Sequence, residues 1–163
     1  MNIILKNKFL YFKNYKLKCS IGKNGISNKK KEGDGKTPQG NFKFKYILYR
    51  KDRILNLKTV LKKKVIKKNM GWCDDPKTKY YNRLVELPFK YSAEKLWLKE
   101  NIYDIIIIIN YNLSPIIKGN GSAIFLHIAK KRYQATKGCL AISKKNMKLL
   151  IKKINKKSKL QIY

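Results

Sequence analysis

The only histidine of this chain, His127, stands twelve residues ahead of Cys139 in the stretch FLHIAKKRYQATKGCLAI, residues 125–142. An imidazole can take the proton of a thiol, and the resulting thiolate attacks acyl carbons, so the pair has the residue types of nucleophilic acyl chemistry. Gly138 lets the backbone bend closely around a substrate, and backbone N–H groups at such a turn can hold an oxyanion. Lys137 adds positive charge in favour of thiolate. The same spacing suits a buried histidine and a buried thiol that only pack, and spacing alone leaves the two readings level.

The other two cysteines are poorer nucleophiles. Cys19 belongs to YKLKCSI, residues 15–21, whose alternation puts Tyr15, Leu17, Cys19 and Ile21 on one face and Lys16, Lys18 and Ser20 on the other. That is a half-buried strand, with Cys19 in the core. Cys73 sits in GWCDDP beside Asp74 and Asp75, whose negative charge disfavours thiolate. Three cysteines without CxxC spacing indicate neither a disulfide framework nor a zinc site. Asp74 and Asp75 have no suitably spaced companions, so no metal is expected. GDGKTPQG lacks the GxxxxGK[ST] order of a phosphate loop, and no cofactor is expected.

The formal net charge is +31, from 40 Lys+Arg against 9 Asp+Glu. Only Arg50, Arg53, Arg83 and Arg132 are arginine, whereas readers of bases and clamps for phosphates lean on the guanidinium fork. Lys, Ile, Asn and Tyr all have A/T-rich codons, so a skewed genome produces the same composition without an anionic partner. Nonspecific attraction to anionic polymers follows from the charge; specific nucleic-acid recognition does not. At 44% hydrophobic residues the chain has a folding composition, and its length suits one domain, residues 1–163. The opening MNIILKNKFLYFKNYK lacks the apolar run and small-residue cleavage site of a signal peptide. The run Ile105–Ile109 is too short to span a bilayer and reads as a buried strand.

The elements that position the candidate pair are mostly strands. GKNG, residues 22–25, is a turn, and a polar loop, SNKKKEGDGKTPQG, leads into NFKFKYIL, which alternates through Phe42, Phe44, Tyr46 and Leu48. ILNLKTVLKKKVIKK is ambiguous between a short helix and an edge strand. Ser92 is expected to cap a short helix through Ala93, Glu94, Leu96 and Trp97. Strands are expected over residues 103–110 and 122–128. Ser143 caps a helix whose stripe is Met147, Leu150, Ile151 and Ile154, and KLQIY adds a closing strand. The pattern is strand-rich, with one or two helices packed on sheet.

Two stretches carry a resemblance. EGDGKTPQGNFKF, residues 32–44, resembles the D-G-x-T-P-x-G-x-F signature of the L,D-transpeptidase (YkuD-type) catalytic domain. The pattern His127, Thr136, Gly138, Cys139 resembles that family's H…[ST]-x-G-C motif. GWCDDP, YNRLVELP, IYDIIIIINYN, GSAIFLH and GCLAIS are similar to a compact branch of the family, so the likeness runs along nearly the whole chain. It implies a mainly β (β-rich α+β), sandwich-like domain with short helices packed on the sheets, in which the GDGKTPQG segment is structural. The implied reaction is acyl transfer on peptidoglycan stem peptides in the periplasm or cell envelope. Cys139 attacks the carbonyl on the L-centre of diaminopimelate and D-alanine leaves. His127 takes the thiol proton and then activates the acceptor amine. By the same resemblance the carbonyl of Ile128 orients the imidazole, and the amide of Cys139, with that of Gly138, holds the oxyanion.

The family often carries a second histidine where this chain has Lys137, and commonly Arg or Asn where it has Ala141. Arg83 and Lys137 are the nearest substitutes for recognising a substrate carboxylate, with Thr136 beside them. Trp72 taken alone reads as packing; within the resemblance, Trp72 and Tyr81 are expected to wall the cleft. The alternatives are an L,D-carboxypeptidase that uses water as acceptor and a non-catalytic basic module that holds cell-wall polymer or nucleic acid.

Overall fold

A computed structural model describes residues 1–28 and 31–163; Lys29 and Lys30, in the polar loop noted above, lie outside the described residues. The chain is a β-rich α+β fold. Its first strands are β1 (Asn2–Lys6), β2 (Phe9–Phe12) and β3 (Tyr15–Lys18), followed by the short β4 (Ile26–Ser27) and β5 (Thr37–Pro38). Next come the long β6 (Gly40–Tyr49), then β7 (Lys63–Val65), β8 (Met70–Cys73), β9 (Leu84–Glu86) and β10 (Ala93–Lys95). After a 3-10 turn, Asn101–Tyr103, follow β11 (Ile105–Ile109), β12 (Phe125–Ile128), β13 (Leu140–Ile142), helix α1 (Lys144–Ile151) and β14 (Lys159–Ile162).

The large sheet runs in the order β13-β12-β11-β6-β14-β1-β2-β3, with β7 added on β6. Its centre is the isoleucine run. Ile105, Ile107 and Ile109 face one side and Ile106 and Ile108 the other, and each side joins a different buried cluster. Burial on both faces is why this strand reads as continuous rather than alternating. Removing one such side chain, as in Ile107→Ala, costs about 2–5 kcal/mol through lost burial and the cavity left behind. On the first side α1 docks Met147, Leu150 and Ile151, and Ile154 just beyond it, onto Ile3, Leu5 and Leu126. The backbone N–H of Asn146 donates to the Ser143 hydroxyl at 3.2 Å, so the expected cap is present. The second side is covered by the small antiparallel sheet β10-β8-β9, with Met70, Trp72 and Leu96 buried against Ile106, Ile108 and Phe125.

Three local expectations are corrected. The segment after Ser92 is strand β10, with Ala93 opposite Cys73 and Glu94 opposite Trp72. A single helical turn has a costly nucleus and few bonds to offset it, whereas β8 offers a ready ladder. Ser20, expected to face outward, is buried because its backbone exchanges hydrogen bonds of 2.7 and 3.0 Å with Ala141. Tyr15, expected inward with Leu17 and Cys19, is exposed at the edge of the sheet. The ambiguous lysine-rich stretch resolves as a strand: β7 pairs in parallel with β6, while Ile54, Leu57 and Leu61 anchor the preceding turns in the core.

Candidate active site

Strands β12 and β13 run parallel, with Leu126 opposite Leu140 and His127 opposite Ala141. Side chains alternate along a strand, so Leu126, Ile128, Leu140 and Ile142 enter the core on the α1 side, while Phe125, His127, Cys139 and Ala141 point to the other side. The Phe125 N–H donates to Cys139 Sγ at 3.3 Å, which puts Cys139 across from Phe125 and one diagonal step from His127. Two residues along and one strand across is about 8 Å between Cα atoms, a gap that an imidazole and a thiol on one side can close. The fold therefore converts twelve residues of sequence separation into neighbours on one sheet face.

The cysteine turn is held from several directions. Thr136 Oγ1 accepts from the Gly138 N–H at 3.1 Å and donates to the Cys139 carbonyl at 2.6 Å, closing the turn on itself. Gly138 has φ 137°, a conformation that side-chain-bearing residues rarely adopt. Outside the turn, the Thr136 N–H donates to Ile21 O and the Lys23 N–H to Thr136 O, at 2.9 and 2.8 Å. The hydroxyl of buried Thr37 donates to the Gly138 carbonyl at 2.9 Å and accepts from the Gly22 N–H at 2.8 Å. The TP dipeptide of the GDGKTPQG segment thus braces the turn that carries Cys139. In this conformation the amide of Gly138, expected to share in an oxyanion hole, is occupied by Thr136.

His127 is 6% exposed, and burial pushes its pKa down to about 4, so the ring is neutral near pH 7. Its Nδ1 lies 2.9 Å from the carbonyl of Ile128. A carbonyl oxygen only accepts, so Nδ1 carries the hydrogen and Nε2 presents its lone pair. The Cys139 thiol donates to the Ala123 carbonyl at 3.0 Å. Together these describe a sulfur directed at a backbone carbonyl and, one diagonal step away on the same sheet face, a neutral imidazole whose Nδ1 is hydrogen-bonded and whose Nε2 carries the lone pair.

The other cysteines are unsuited to this work. Burial pushes the Cys19 thiol up to about 12. Burial also raises the Cys73 thiol, with Asp74 and Asp75 adding repulsion of its thiolate.

Around the pair the structure gathers groups that the sequence did not single out. Tyr103 sits edge-on to the His127 ring at 5.3 Å, and its hydroxyl donates to Glu94 Oε1. Burial raises the Glu94 carboxyl; Asp74 and Glu32 add to the rise, and Lys137 opposes it. Two further acidic residues, in a chain with only nine, therefore act on Glu94 beside the site. Asn82 is 2% exposed and joins three separate segments. Its Oδ1 accepts from Trp72 Nε1 at 2.9 Å and from the Ala123 N–H at 3.1 Å, and its Nδ2 donates to Asn112 O at 2.6 Å. Asn82 stands in the YNR motif, but nothing local distinguishes a buried hub from a turn asparagine.

Of the expected site residues, Thr136, Gly138, Ile128, His127 and Cys139 come together. Lys137 is exposed on the same turn. Arg83 is exposed in the β8–β9 connection, its carbonyl accepting from the Cys73 N–H at 2.9 Å. Trp72 and Tyr81 are corrections to the expected cleft wall, at 2% and 1% exposed. Trp72 packs edge-on against Phe125 at 5.0 Å, and the Tyr81 hydroxyl donates to Glu32. Both side chains stabilise the layer beneath the site and present almost no surface to a substrate. Among the described residues no group of three or more His, Cys, Asp or Glu side chains is arranged to hold a metal.

The class that emerges is a β-rich domain presenting a thiol and an imidazole from adjacent strands. The chain belongs to the YkuD family, the L,D-transpeptidase catalytic domain, which it matches over residues 3–162. This family acts on the peptidoglycan of the cell wall. No curated protein matches the chain. Among solved structures it is similar to that of Bdellovibrio bacteriovorus Bd1075, at 16% identity and a TM-score of 0.48. That alignment covers 99% of this chain and 46% of the other, so this chain spans less than half of that protein's length. Among the described residues no helix is long and apolar enough to cross a membrane.

Proposed function

We propose that residues 1–163 act as one cysteine L,D-transpeptidase domain on peptidoglycan stem peptides in the cell envelope. Cys139 Sγ attacks the carbonyl on the L-centre of diaminopimelate while His127 Nε2 takes the thiol proton. The tetrahedral oxyanion is held by the Cys139 amide. It collapses to a thioester, and the departing D-alanine nitrogen takes the proton back from His127. An acceptor amine then attacks the thioester with His127 again as base, the new amide forms, and the thiol is restored. Ile128 holds the ring through its carbonyl. Thr136 and Thr37 hold the turn, and Lys137 and Arg83 are the cations available to the substrate carboxylate.

The observation that supports this most strongly is the His127 tautomer. The Ile128 carbonyl at 2.9 Å leaves Nε2 as the free base on the sheet face that carries Cys139. Burial keeps that base neutral at the pH where it must accept a proton. Amine is expected to win over water because it is the better nucleophile toward a thioester.

The first test is intact mass after exposure to a carbapenem. One covalent adduct on the parent protein and none on Cys139→Ala is the expected result. Incubation with a disaccharide-tetrapeptide and mass spectrometry of products then separates the acceptors. Dimers, or exchange of the terminal D-alanine for an added D-amino acid, support transfer. Tripeptide alone at high acceptor concentration makes the protein an L,D-carboxypeptidase. No adduct and no turnover, with polymer binding retained, leaves a basic binding module.

A further inference from the structure

We propose that Asn82 is a positioning residue for the thiol, acting through the backbone of Ala123; this rests on the transpeptidase reading only for its effect on turnover. The Cys139 sulfur lies in a cradle made by one short segment of backbone. The Ala123 carbonyl accepts the thiol hydrogen at 3.0 Å, and the Phe125 N–H donates to the sulfur at 3.3 Å. Ala123 reaches this geometry at φ 51°, in the left-handed region that alanine avoids. Such a conformation persists only where its surroundings hold it.

Asn82 is the side chain that holds it. Its Oδ1 accepts the Ala123 N–H at 3.1 Å and, at 2.9 Å, the indole N–H of Trp72, which itself packs on Phe125 at 5.0 Å. Its Nδ2 donates at 2.6 Å to the carbonyl of Asn112, on the chain segment that returns to Ala123. All three bonds are buried or partly buried, and Asn82 itself has φ 55°. Asparagine tolerates that region better than most residues. The amide therefore grips both ends of the cradle: Ala123 directly and Phe125 through Trp72. A thiol held by a carbonyl is favoured in its protonated form, and its sulfur is fixed in direction. Release of Ala123 frees the sulfur and removes an acceptor that favours S–H.

Asn82→Gly is the variant of choice, because glycine accepts the positive φ and only the side chain is lost. It is made alongside Asn82→Asp, which keeps the acceptor oxygen for Ala123 and Trp72, in a background with Cys19→Ser and Cys73→Ser so that Cys139 is the one thiol. The readout is the rate of iodoacetamide alkylation as a function of pH, with thermal unfolding as the control for folding. His127 from β12, Tyr103 with Glu94 behind it, Asp74 and Lys137 are unchanged in all three proteins. In Asn82→Gly, which adds no charge, a displacement of the profile therefore reports the cradle; Asn82→Asp adds a carboxylate, which by itself moves the thiol midpoint to higher pH.

The midpoint of alkylation is expected to move to lower pH in Asn82→Gly and to lie at or above the parent's in Asn82→Asp, whose carboxylate disfavours thiolate. On tetrapeptide substrate, kcat in Asn82→Gly is expected to fall roughly 10²-fold with KM little changed, as for a reacting atom displaced by about 1 Å. A folded Asn82→Gly with the parent's alkylation profile overturns the proposal and leaves Asn82 a purely structural hub. If Asn82→Gly does not fold, Asn82→Asp decides: a midpoint below the parent's, despite the retained acceptor and the added negative charge, overturns it, and a midpoint at or above the parent's supports it. Alkylation needs no substrate, so a displaced profile in a protein without acyl transfer would refute the transpeptidase reading while leaving the positioning role intact.

Discussion

His127 makes the stability of this protein depend on pH in a way that can be isolated. Burial lowers its pKa from 6.5 to about 4 in the folded chain, while the unfolded chain keeps an ordinary imidazole. Between those values the unfolded state binds the extra proton. Stability is therefore full above pH 6.5 and is lost as the pH falls toward 4. At about 1.4 kcal/mol per pKa unit, the loss is about 2 kcal/mol at pH 5 and approaches about 3 kcal/mol below pH 4. Asparagine is the informative replacement, since its amide nitrogen takes the place of Nδ1 and can donate to Ile128 but does not titrate. The assay is urea unfolding followed by tryptophan fluorescence, for the parent and His127→Asn, at pH 7.5 and pH 5.0. Carboxylates contribute equally to both proteins and cancel in the comparison. The parent is expected to lose about 2 kcal/mol more than the variant over that interval. Equal losses would mean that His127 is not held neutral by burial, and the general-base step would lose its physical basis.

Cys139→Ala is expected to abolish acyl transfer while still folding, at a cost of about 1–3 kcal/mol for the Ala123 carbonyl and Phe125 N–H that lose the sulfur, whereas Cys73→Ser retains turnover; equal inactivity of the two folded variants would reverse their roles. Thr37→Val removes a hydroxyl that bonds both Gly138 and Gly22, so it should cost about 1–3 kcal/mol in denaturant unfolding and slow acylation by carbapenem. Exhaustive chelation should leave turnover intact, and loss restored by a divalent ion would count against a thiol–imidazole mechanism. Binding to DNA should be sequence-blind and fall steeply with salt; a tight, sequence-selective complex at physiological salt would contradict the reading of the lysines as nonspecific charge.

The sequence by itself determined whatever is written in local pattern. The five isoleucines read as a buried strand, and Met147, Leu150 and Ile151 at helical spacing after Ser143 read as a capped amphipathic helix, as the structure has them. It also brought His127 and Cys139 forward as the candidate pair, because the chain has one histidine and only Cys139 follows a glycine beside a lysine. Spacing alone left packing and catalysis level, and it was the motif's resemblance that favoured catalysis. Tertiary structure decided the rest. Ala93–Lys95, after Ser92, became strand because β8 supplied a ladder that an isolated turn of helix could not match. Trp72 is buried because its strand β8 turns it onto Ile106, Ile108 and Phe125, and Tyr81 because its hydroxyl is drawn to Glu32. Asn82, Ala123, Thr37 and Tyr103 meet the site from segments 16 or more residues away, through hydrogen bonds or ring edges that leave no periodicity behind. Short-range patterns record which face a residue prefers; which distant backbone that face meets is settled only when the strands pair.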